Sequence, residues 1–81
     1  MTIDEAIANI KTKSTSVSPA AVFRIQKMSD EEARISVYTA ADHLQAITDA
    51  TRDMVIQLLS NEGLDIQVFA YDIATTTLPP E

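Results

Sequence analysis

Cysteine is absent from this chain, and its absence excludes disulfides, thiolate catalysis and Cys-ligated zinc or iron–sulfur centres. Glycine occurs once, as Gly63, which removes the phosphate-cradling loops of P-loop and dinucleotide-binding proteins, since each needs several. Histidine also occurs once, as His43, and no nucleophile and acid fall into a legible Ser/His/Asp pattern around it. Bases are few, six against twelve acids for a formal charge of −6, which argues against a general affinity for nucleic-acid backbones or anionic lipid. No apolar run approaches the roughly 20 residues that span a bilayer, and no basic start leads into an apolar segment. The default reading is a cytoplasmic domain with no membrane partner, no cofactor and no metal.

What is present suffices for folding. Apolar residues make up 46% and charged residues 22% of the 81, far from the composition of disordered chains. A chain this short buries only about 60% of its unfolded surface, so its stability should be modest unless it oligomerises.

Thr2 and Glu5 have the spacing of a capping box, and Ile3, Ala6, Ile7 and Ile10 follow at helical intervals. They predict a short amphipathic helix over residues 3–12, with a Ser/Thr-rich loop from Thr12 to Ser18-Pro19. Residues 20–28 alternate, with Ala21, Phe23 and Ile25 on one side and Val22, Arg24, Gln26 and Met28 on the other. Ala33, Ile35 and Val37 alternate against Arg34, Ser36 and Tyr38, giving a hairpin joined by the acidic turn Asp30, Glu31, Glu32.

Thr39 and Asp42 suggest a second capping pattern opening one long helix over residues 40–62, with Gly63 as its C-cap. Leu44, Ile47, Thr51, Met54, Val55, Leu58 and Leu59 form its apolar arc, and the β-branched stretch Thr48 to Thr51 is where an irregularity is expected. Ile56 points out through the polar arc, which carries meaning only if it adjoins other exposed apolar groups. Asp65 to Ile73 reads as a third strand with two apolar faces: Ile66, Val68 and Ala70 on one, Phe69, Tyr71 and Ile73 on the other.

The expected architecture is a single α+β domain over 1–74 in the order α-β-β-α-β, with an extended, frayed tail over 75–81. A helix between the second and third strands makes them parallel in direction. Placing the third strand beside the first gives a three-stranded antiparallel sheet of order 2-1-3, in two or three layers. The long helix covers one face. The other carries Val22, Arg24, Gln26, Met28, Arg34, Ser36, Tyr38, Gln67, Phe69, Tyr71 and Ile73, closed either by the N-terminal helix through Ile3, Ile7 and Ile10 or by another molecule.

Aromatic, Met and Arg enrichment is what interface cores show, so the expected function is a non-enzymatic protein-interaction module, a homodimer or a small subunit of an assembly. Its anchors would be Phe69, Tyr71, Tyr38, Met28, Arg24 and Arg34. An alternative is a small acidic inhibitor or nucleic-acid mimic of a mobile element, presenting Asp30, Glu31, Glu32, Asp42, Asp49 and Asp53. Another is a planar-anion site built from the arginines and aromatics. Phe69 and Tyr71 also resemble a base-stacking platform, and splitting the long helix gives the element order of one class of KH domain. The Gly-x-x-Gly loop of that class is missing, so no nucleic-acid partner is expected.

Overall fold

The structure, a computed structural model, describes residues 1–79; Pro80 and Glu81, the end of the tail expected over 75–81, lie outside the described residues. Helix α1 spans Ile3–Val17 and strand β1 Val22–Lys27, followed by β2 over Glu32–Thr39. A 3-10 turn at Ala41–His43 leads into α2, Leu44–Gln57, which ends in a π-turn at Leu58–Glu62 before β3, Asp65–Asp72. The α+β class and the element order are as expected.

Helix α1 begins with the capping box: Thr2 Oγ1 accepts from the Glu5 backbone at 3.2 Å, and the Glu5 carboxylate accepts from the Thr2 backbone at 2.9 Å. Those hydrogen bonds hold the Glu5 carboxyl below its usual pKa. The helix runs five residues beyond the expected end. Ile3, Ile7, Ile10, Ser14 and Val17 continue one stripe, and burying it offsets the roughly 0.5 kcal/mol that each Ser or Thr of residues 12–16 costs in helix propensity. Ser18 then turns extended and ends it.

Ser14 is fully buried and its hydroxyl has no hydrogen-bond partner among the described residues. A buried hydroxyl without a partner forfeits its hydration, so Ser14→Ala should raise stability by about 1 kcal/mol in urea denaturation.

Neither Thr39 nor Asp42 caps the second helix. Thr39 ends β2 and is buried, and Ala40 and His43 hold the capping positions of the 3-10 turn and α2 without side-chain bonds. The helix passes Thr48 and Thr51 undisturbed, since both hydroxyls donate to carbonyls one turn back, at 3.1 and 2.9 Å. Its irregularity comes later, in the π-turn, where Gly63 takes φ of 68° and donates back to the Leu58 carbonyl. The wider turn changes the helical phase there, so Leu58 stays buried while Leu59, expected on the apolar arc, is 56% exposed.

The sheet order is β1-β2-β3, with β1 and β2 antiparallel and β2 and β3 parallel. This corrects the all-antiparallel order 2-1-3. Strands β2 and β3 are parallel in direction, as the intervening helix requires, but they are also neighbours, forming a compact β-α-β unit. Composition explains the choice. On the helix side β2 carries Ala33, Ile35 and Val37, all with no exposure, as suits a strand flanked on both edges. Strand β1 offers Ile25 and Lys27 at equivalent positions and tolerates an edge.

Both helices pack on the same side of the sheet. Ile3, Ile7 and Ile10 of α1 join Ile35, Ile47, Leu58 and Ile66 in one core, with α2 over β3 and α1 beside it. The molecule therefore has two layers, and α1 does not close the second sheet face.

Candidate functional site

Strand alternation and the pairing register define the uncovered face row by row. At the hairpin end Glu32 lies beside Asp65. Next come Gln26, Arg34 and Gln67, then Arg24, Ser36 and Phe69, and finally Val22, Tyr38 and Tyr71. The face runs from acidic through basic to aromatic. Asp65, which sequence reasoning left off this face, is placed there by the register.

The arginines and aromatics engage one another. The Arg34 guanidinium sits over the Phe69 ring at 5.5 Å, and the Tyr38 and Tyr71 rings stack at 5.3 Å with 24° between their planes. Phe69 and Tyr71 remain 40% and 36% exposed, with Ile73 at 38% and Met28 at 43%. Tyr38 is only 5% exposed, so it supports Tyr71 from the central strand and does not itself present a contact surface.

Part of the cover comes from the chain's own tail, an arrangement sequence reasoning missed in treating residues 75–81 as frayed. The Asp72 carboxylate accepts from the Ala74 backbone at 2.9 Å, and the Asp72 carbonyl accepts from Thr75 and Thr76, turning the chain back after β3. Residues 77–79 then cross to the opposite edge, where the Pro79 carbonyl accepts from Arg24 Nε at 2.9 Å. Arg24 Nη1 also donates to the Phe23 carbonyl at 3.0 Å. The legible signal was Asp72 followed by Ala74-Thr75-Thr76, an Asx-turn pattern.

Beside that contact lies an open depression of about 490 Å³, bounded by Arg24, Gln26, Arg34, Ser36 and Pro79. Neither Phe69 nor Tyr71 lines it, so the arginine depression and the aromatic ridge are adjacent and do not form one slot for a planar anion.

Compared with known protein families, curated proteins and solved structures, the chain matches no family model, no curated protein and no solved structure.

The structure separates the other candidates. Asp30, Glu31 and Glu32 lie at the β1–β2 turn, Asp42 in the 3-10 turn at the far end of β2, and Asp49 and Asp53 on the exposed side of α2. Asp49 is bound by Arg52 at 3.0 Å and Gln45 at 2.9 Å. These six acids therefore form no single stripe. Among the described residues no group of three or more acidic, His or Cys side chains is placed to hold a metal ion. Among them, too, no helix is long and apolar enough to cross a membrane.

His43 has a partner that sequence reasoning did not assign. Its Nδ1 lies 2.9 Å from Ser18 Oγ, which also bonds Thr39 Oγ1. Serine beside histidine is the pairing of a nucleophile and its base. Here Ser18 is 1% exposed and its hydroxyl is shared with Thr39.

Proposed function

We propose that this chain is a non-enzymatic protein-interaction module, acting as a homodimer or as a small subunit of a larger assembly. Its docking surface is the sheet face opposite the helices, with Phe69 and Tyr71 as aromatic anchors and Arg24, Arg34 and Met28 around them. The observation that carries this reading is that two aromatic rings stay more than a third exposed on a sheet whose two helices both pack on the other side. Each ring is held from beneath or beside, Phe69 by Arg34 and Tyr71 by Tyr38, so little side-chain freedom remains to be lost on binding.

The acidic-inhibitor alternative finds less support, because its carboxylates are divided between both ends of β2 and the helix layer. The test is affinity capture from the native source with wild type and with Phe69→Ala/Tyr71→Ala, followed by titration of the captured partner. Truncated anchors should weaken binding roughly tenfold or more while circular dichroism stays native. An unchanged partner set and affinity in the folded double variant would refute the reading.

A further inference from the structure

From Val68 to Tyr71 the edge of β3 carries no device against strand addition. Its partner β2 lies on one side only. The Asp65 and Ile73 backbone N–H groups donate to the Glu31 and Thr39 carbonyls, at 2.7 and 2.9 Å. By strand alternation the N–H and C=O groups of Val68 and Ala70 therefore point out along the edge away from β2, while Ile66 at its start has no exposure. Natural edges are blunted with Lys, Pro, bulges or inward charges. Residues 66–71, Ile-Gln-Val-Phe-Ala-Tyr, contain none of them. The other edge differs: β1 carries Arg24 and Lys27, and the tail reaches it at Pro79.

Exposed apolar groups flank this one edge in both layers. Phe69 and Tyr71 lie on the open sheet face. On the helix side a cleft of about 190 Å³ is lined by Thr48, Thr51, Arg52, Val55, Ile56 and Val68, residues of α2 and β3 alone. Ile56 there is 56% exposed. Docking on the open face would leave Ile56 and this cleft in water; an interface centred on the β3 edge covers both layers at once.

We propose that a second copy of this chain occupies that edge, β3 pairing antiparallel with β3 across a twofold axis to make one continuous six-stranded sheet. Self-pairing suits the charges. Hydrogen bonding through the outward-facing even-numbered residues allows Asp65 to face Tyr71 or Ile73 of the second copy, and Asp72 to face Leu64 or Ile66, so no carboxylate meets a carboxylate. The twofold also sets the two Ile56 clefts side by side and closes the assembly, whereas β3 added to the charged β1 edge would extend without limit. The pairing does not involve the β1 side of the open face, where Arg24 and Met28 lie, so it stands apart from docking on that face.

Sedimentation equilibrium is the test. Wild type should have twice the 8.9 kDa mass of one chain. Ala70→Pro removes an outward donor without touching the β2 ladder, once on each copy, and should weaken the dimer roughly thirtyfold. Ile56→Lys, on the helix surface where folding does not depend on it, should also shift the mass toward monomer. Arg24→Ala/Met28→Ala, at the far edge of the open face, should leave the dimer intact. A monomeric wild type, a dimer that survives both Ala70→Pro and Ile56→Lys in folded protein, or one broken by Arg24→Ala/Met28→Ala would each overturn the proposal.

Discussion

Ile35→Ala should lower the unfolding free energy by roughly 2–5 kcal/mol, a large share of the roughly 4–12 kcal/mol available to a domain of this length. Ile35 has no exposure and sits midway along the central strand, between Ile25 of β1 and Val68 of β3. The substitution removes three carbons at about 0.8 kcal/mol each and leaves a cavity that two packed helices above it can only partly fill. The urea midpoint should fall with little change in slope.

Ile25→Ala makes that experiment diagnostic of topology. Ile25 faces the same helix layer and is Ile35's direct cross-strand partner, yet it is 41% exposed at the rim of a cleft under α1. Its truncation should cost under about 1 kcal/mol. In the order 2-1-3 strand β1 would be central and Ile25 would be the costly position. A larger loss at Ile25 than at Ile35 would contradict the order β1-β2-β3.

The contrast also explains what was legible beforehand. Alternation determines which face a side chain takes, whatever strand lies beside it, so Arg24, Arg34, Phe69 and Tyr71 were assigned to one face although the strand order was misjudged. Neighbour relations depend on order and were not legible. Beside β1, Phe69 would have met Arg24; beside β2 it packs under Arg34. Local rules failed where packing overrode them. The Ser/Thr run after Thr12 is helical because Ser14 and Val17 extend a buried stripe, and Leu59 is exposed because the π-turn shifts the phase of an otherwise regular helix. Thr39 resembled an N-cap and is instead the end of a strand, its hydroxyl engaged by Ser18, 21 residues earlier in the chain. No window centred on Thr39 alone contains that partner.

That long-range bond supports the second large effect: Ser18→Ala should destabilise the protein by roughly 1–3 kcal/mol, although it removes a single oxygen. Ser18 Oγ joins Thr39 Oγ1 and His43 Nδ1, tying the end of α1 to the end of β2 and to the start of the crossover into α2. Deleting it leaves the Thr39 hydroxyl, on a residue 3% exposed, without this bond, and the cost is that group's lost hydration with nothing in return. Ser14→Ala is the internal control, the same substitution on a serine equally buried one helical turn earlier. There the hydroxyl has no partner to lose, and the sign reverses. Burial and volume change are nearly matched between the two sites. The helix propensity that Ala gains at position 14, about 0.5 kcal/mol, has no counterpart at the extended Ser18. A model based on those quantities alone therefore expects a small gain at Ser14 and almost no shift at Ser18. Opposite shifts in the urea midpoint are the signature of the hydrogen-bond network, and shifts of the same sign would remove the network from the account of this fold.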